Sequence, residues 1–199
     1  MMNAMGLPRL RSAAAAAVVV VAPLTAGCST GAPPADEESP RSAALRVETV
    51  SGDERLDERT RAELEGAIGD VLSAYVVDAF LGEFPREEFV RSFESFTSEA
   101  AREAAGDIDL LTAAGVPDAT AVRATELDAR LSLLALDRTV HGSTATVHFA
   151  FEATMADGST RPLTLDGRFL LEAEGDTWSV FGYDLRFDDG DGTPVETES

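Results

Sequence analysis

Cysteine occurs once in this 199-residue chain, at Cys28. Lysine and glutamine do not occur at all, and the only asparagine is Asn3. A solitary cysteine excludes an intramolecular disulfide, a thiol-rich metal site and, because it lies ahead of the folded part, a cysteine nucleophile within the fold. Stability therefore has to come from the core. Basic charge is scarce as well: 16 basic residues, all arginine, face 36 acidic ones, for a formal net charge of −20. Such a surface repels phosphate backbones and anionic headgroups, so nucleic acid is excluded as a partner and electrostatic membrane docking is disfavoured. The exclusive use of arginine fits the codon bias of a GC-rich genome. Glycine-rich phosphate loops, nucleophile elbows and paired-cysteine motifs are also missing, so no catalytic residue, metal site or cofactor is expected from motifs.

What is present begins with an export pattern. Arg9 and Arg11 form a short positive segment, Ala13 to Ala22 is an unbroken apolar run, and Pro23 leads into Leu24-Thr25-Ala26-Gly27-Cys28. The run is shorter than the roughly 20 residues a bilayer span needs and has the layout of a secretory signal. Its end resembles the lipobox of bacterial lipoproteins, with Ala26 and Gly27 before Cys28 and Thr25 where that family most often has leucine. The resemblance implies cleavage before Cys28, a diacylglycerol on its sulfur, and a protein held on the extracytoplasmic face of the cell membrane. An ordinary secreted protein cut after Ala22 is the alternative.

On this reading residues 1–27 are a signal peptide and 28–50 a lipidated flexible linker rich in Pro, Ser, Gly and acids. Residues 51–187 are one folded domain and 188–199 an acidic disordered tail. Without Arg9 and Arg11 the mature part keeps 14 arginines and a formal charge of −22.

Within the domain the hydrophobic period changes once. From Asp57 to about Phe80, Leu64, Ile68, Val71, Leu72, Tyr75 and Ala79 recur with helical spacing, and Gly82 suits the helix exit. Phe84-Pro85 looks like the start of a second helix carrying Phe89, Phe93 and Phe96 inward, which with Phe80 and Phe84 form an apolar wall. Ser98 to Ala105 is a third helical piece, and Asp107 caps a last one reaching Ala114. From about Val122 the period is two: Leu127 to Leu133, Val147 to Phe151, Leu163 to Leu171 and Trp178 to Phe187 read as four strands of an antiparallel meander. A bulge is expected between Val180 and Phe181.

The predicted class is α+β: a long N-terminal helix and short helices packed on a bent four-stranded antiparallel sheet, cone-like in outline. This element order, with the closing Gly175-Asp176-Thr177-Trp178-Ser179-Val180 segment, resembles the nuclear transport factor 2-like (cystatin-like) cone. It also resembles the small actinobacterial lipoproteins that carry this fold. The resemblance implies a pocket between helices and sheet, with Tyr75, Asp78, Phe93, His148, Trp178 and Tyr183 as its candidate lining. In the ketosteroid isomerase-like branch a first-helix tyrosine and a protonated aspartic acid form an oxyanion hole. That role carries over to Tyr75 alone, because neither Asp166 nor Asp184 sits in a matching motif.

Two polar groupings complete the reading. His148 and Glu152 share a strand face but stand two steps of the pleat apart, and a solvated histidine is the simpler account. Asp188-Asp189-Gly190-Asp191-Gly192 has the composition of a calcium loop without its oxygen spacing. The expected function is a non-catalytic ligand-binding or accessory module of the cell envelope. It reaches the membrane through its lipid and takes a small apolar ligand or an envelope protein as partner. The alternatives are an isomerase- or dehydratase-like enzyme using Tyr75 and a carboxylate, and a structural envelope spacer.

Overall fold

The computed structural model describes residues 41–199 apart from 87, 137–138, 176, 193–194 and 197–199. The expected signal peptide, the lipidation at Cys28 and most of the linker lie outside the described residues.

The first element is a strand. β1 (Arg46–Ser51) lies, but for its last residue, in the stretch read as linker, and it turns Val47 and Thr49 inward while Arg46 and Glu48 face solvent. It is followed by α1 (Glu58–Ala79), the two-residue β2 (Gly82–Glu83), a five-residue 3₁₀ turn (Phe89–Phe93), α2 (Ser98–Gly106) and α3 (Ile108–Leu111). A 3₁₀ turn at Ala113–Gly115 then leads to β3 (Ala119–Leu136), β4 (Thr139–Met155), β5 (Thr160–Glu174), β6 (Thr177–Asp188) and β7 (Val195–Glu196). The sheet is ordered β1-β3-β4-β5-β6-β7, with β2 pairing on β3.

This overturns the expected class of a long N-terminal helix on a four-stranded antiparallel sheet. Strands make up 48% of the described residues and the sheet is mixed, since β1 runs parallel to β3. The physical reason is range. Arg46 and Asp128 are 82 positions apart, and their parallel register is written in no local pattern. β7 extends the sheet into the stretch expected to be a disordered tail, pairing with Arg186 and Phe187.

The helix expected from Asp57 is α1, and the Asp57 side chain caps it by accepting the Thr60 amide at 2.8 Å. The second expected helix is instead the 3₁₀ turn, and the last one is only a single turn, α3. The four expected strands are β3 to β6, each antiparallel to the next. β6 carries the expected bulge, with Val180 opposite Leu171, Gly182 opposite Leu170, and Phe181 left over and 46% exposed.

One face of the sheet packs on α1. Ile68, Leu72, Tyr75 and Phe80 join Phe149, Phe151, Leu165 and Phe169 in a single buried cluster. Phe80 stacks on Phe151 with ring centres 4.5 Å apart, and Tyr75 meets Phe169 edge-on at 5.1 Å. Gly167 interrupts the apolar row between Leu165 and Phe169. Its φ is +135°, and a Cβ there would overlap the Asp184 carbonyl oxygen, so glycine is what lets β5 and β6 approach.

Candidate ligand-binding groove

At the C-terminal end of α1 the chain has to reverse, and the last carbonyls of the helix need donors. The Phe80 amide supplies the first, bonding back to the carbonyls of Val76 and Val77. After the turn at Gly82, Arg86 adds further donors from its side chain. Nη1 donates to the Asp78 carbonyl at 2.8 Å and Nη2 donates to the Leu81 carbonyl. A guanidinium at this end also complements the helix dipole. The intervening residues are held by the sheet: Phe84 donates its amide to the Thr120 carbonyl at 2.8 Å, and Gly82 and Glu83 pair with Val122 and Ala121.

Two aromatic rings lie to one side of the guanidinium. Arg86 Cζ lies 5.0 Å from the centre of the Phe84 ring and 5.9 Å from that of Phe89, and the two rings are nearly parallel, 18° apart. Opposite them stands the loop between α3 and β3. Thr112 locks this loop by donating Oγ1 to the Ile108 carbonyl at 2.7 Å and accepting the Ala114 amide at 3.1 Å. Gly115 brings it close, because any Cβ there would overlap the Asp109 carbonyl oxygen.

Between the two walls is a groove of about 230 Å³, lined by Phe84, Pro85 and Phe89 on one side and by Ala113, Ala114, Val116, Pro117 and Ala119 on the other, with Arg86 at its rim. Among the described residues the hydrogen bonds of Arg86 all go to backbone carbonyls. Apolar walls with one convergent polar group are the usual make-up of a small-molecule site. On the far side of Pro85 and Arg86 a wider and more polar depression is lined by Val77, Asp78, Leu81, Glu88 and Arg91.

The six residues expected to line one pocket separate into distinct places. Tyr75 is 2% exposed, and its hydroxyl donates to the Leu111 carbonyl at 2.6 Å; burial pushes that hydroxyl well above its ordinary pKa. Phe93 is buried on the same side, with Phe96 joining it to Tyr75 and Tyr183. Tyr183 is half-buried and donates to Asp107 Oδ2 at 2.9 Å. Burial first, and the Asp107 carboxylate second, raise its pKa far above the usual tyrosine value.

The other three residues stand apart from this group. Asp78 lines the polar depression, and Trp178 is buried at the start of β6. His148 is exposed on the outer face of the sheet, with Nδ1 2.7 Å from Asp166 Oδ1. An ionised carboxylate only accepts, so Nδ1 carries the proton. Glu152 does not join it, pairing instead with Arg123 at 2.8 Å.

Two features escaped the sequence reading, Arg86 and the Asp107 partner of Tyr183, while Phe84 and Phe89 belong to the apolar wall it expects. Asp107 was expected as a helix cap, but its side chain caps nothing and serves Tyr183. The signal for Arg86 was an arginine shortly after a helix exit, between two phenylalanines. Among the described residues no three His, Cys, Asp or Glu side chains converge to hold a metal ion. No protein-family model matches the chain, and no curated protein matches it either.

Proposed function

We propose that the chain is a lipid-anchored extracytoplasmic protein, tethered through a diacylglycerol on Cys28, whose folded domain is a non-catalytic binding module. Its ligand is a small apolar molecule with an anionic group, seated in the groove beside Arg86. The observation that carries the ligand reading is the Arg86 guanidinium lining an apolar groove, hydrogen-bonded among the described residues to carbonyls alone, with the Phe84 and Phe89 rings beside it. An apolar tail gains by leaving water against the alanines, Val116 and the two rings. A carboxylate or sulfonate gains a charge-assisted bond to the guanidinium. Catalysis through Tyr75 draws no such support, since its hydroxyl is already given to Leu111 in the core.

The anchor is supported by the export pattern and by a cysteine that no other cysteine in the chain could pair with. Among the described residues no helix is long and apolar enough to cross a membrane.

Each half has its own test. Palmitate labelling of the expressed protein is expected to vanish in Cys28→Ala, and labelling that survives removes the anchor. For the groove, anilinonaphthalene sulfonate is expected to bind saturably and to be displaced by decanoate but not by decanol. Ala114→Trp, which fills the groove from its half-exposed rim, should abolish binding without altering the circular dichroism spectrum. Equal displacement by decanol removes the role assigned to Arg86.

A further inference from the structure

The outer face of the sheet carries an ordered charge pattern that the binding groove does not use. One cross-strand row reads Arg46, Asp128, His148, Asp166, Arg186 on β1, β3, β4, β5 and β6. The next row along the same strands reads Glu48, Arg130, Thr146, Arg168, Asp184. Charge alternates along every flanking strand and along each half-row, and each row is symmetric about β4. The two rows together hold four arginines and four carboxylates. A chain with a formal net charge of −20 therefore has here a patch that is neutral. None of these side chains is buried.

We infer that this face is where a second copy of the chain docks, face to face, about a two-fold axis lying across the strands between the two rows. That operation lays the first row of one copy on the second row of the other. Arg46 then meets Glu48, Asp128 meets Arg130, Asp166 meets Arg168 and Arg186 meets Asp184, each contact occurring twice, as an isologous interface requires. His148 meets Thr146. The other in-plane two-fold, along β4, sets arginine on arginine and aspartate on aspartate, so the pattern selects one arrangement and rejects its rival.

Elsewhere two copies bring excess negative charge together. Here like charges avoid one another and every charge finds its opposite, which favours encounter and fixes register. The groups already pair within one copy: Arg46 lies 2.6 Å from Asp128 and Arg168 lies 2.6 Å from Asp184. Exposed pairs of this kind contribute little each, so the dimer is weak and sensitive to salt.

The test uses the full chain carrying Cys28→Ser, so that no acyl group drives association, with sedimentation velocity as the readout. A concentration-dependent dimer is expected at low ionic strength, dissociating at about 1 M salt, where screening acts over roughly 3 Å. One variant carries Arg130→Glu and Arg168→Glu, and a second carries Asp128→Lys and Asp166→Lys. Each alone faces like on like, so its self-association should weaken at least tenfold. Their mixture restores opposite charges at all four central contacts and should dimerise again. Circular dichroism and a thermal melt confirm that both variants fold.

A wild-type chain that stays monomeric at every concentration overturns the inference, with the rows then serving only their own sheet. So does a dimer indifferent to salt, or a mixture that behaves as the sum of its parts.

Discussion

On β4 the odd-numbered Val147, Phe149 and Phe151 are buried in the core, while Thr146 and His148 on the same strand stand in solvent among arginines and aspartates. The two faces share their backbone hydrogen bonds, so they differ only in what the side chains do. Inside, large rings touch one another at 4.5 to about 6 Å, and leaving water supplies the stability. Outside, charges lie in register and leave the fold almost indifferent to any one of them. A face that contributes little to stability is available for recognition, and its pattern constrains a partner rather than the chain itself.

The contrast breaks first, if it breaks at all, under truncation of neighbours on one strand. Phe169 is fully buried against Tyr75 and Phe96, whereas Arg168 beside it is exposed and paired with Asp184. Phe169→Ala is expected to cost about 3–5 kcal/mol through lost burial and the cavity left behind. Arg168→Ala should shift the urea midpoint hardly at all. Comparable losses at the two positions would mean that the outer rows hold the fold together as much as the core does.

A smaller effect comes from the polar atom placed deepest in the core. Tyr75→Phe keeps the ring and its packing but leaves the Leu111 carbonyl without its donor, a loss of about 1–3 kcal/mol. The same burial makes a prediction about alkali. Tyr75 and Tyr183 are the only tyrosines, and both have folded pKa values above the ordinary one. A raised folded pKa means that the folded state holds its proton longer than the unfolded chain. The stability this brings is fully present below about pH 10 and is lost as pH rises towards the folded values. Tyrosinate absorbance should therefore appear together with loss of far-ultraviolet dichroism. Ionisation of a tyrosine near pH 10 in a chain still folded would contradict the raised values that burial gives Tyr75 and that burial and Asp107 give Tyr183.

The inner face was legible from sequence because burial imposes a period, 3.6 in α1 and two in β3 to β6, and Leu, Val and Phe keep to it. β1 was missed although Val47 and Thr49 alternate with Arg46 and Glu48, because six residues beside a Pro-rich stretch carry little weight and their partner lies on distant β3. The groove was out of reach for another reason. Phe84-Pro85-Arg86 has the composition of a helix start, and only the folded chain shows Arg86 turned back to the carbonyls of Asp78 in α1 and of Leu81 just past it. The outer rows fall between these cases. Sign alternation in Asp128/Arg130, Asp166/Arg168 and Asp184/Arg186 is visible in the chain, but the register that aligns it into rows belongs to the sheet.

The smallest effect concerns acid and exposed carboxylates. Asp57, Asp128 and Asp157 all have folded pKa values below the usual aspartate value. Asp57 is lowered by the Thr60 amide, Asp128 by hydrogen bonding to Arg46, and Asp157 by Ser159. A lowered folded pKa means that the unfolded chain takes up protons first. Stability is therefore present above about pH 3.9 and drains away as pH falls through the folded values. Asp57→Asn isolates one contribution, because asparagine caps a helix about as well as aspartate but does not titrate. The variant should match wild type near neutrality and lose stability less steeply below about pH 4, as read from urea midpoints at stepped pH. An unchanged slope would mean that the cap bond to Thr60 is not what Asp57 gives up in acid.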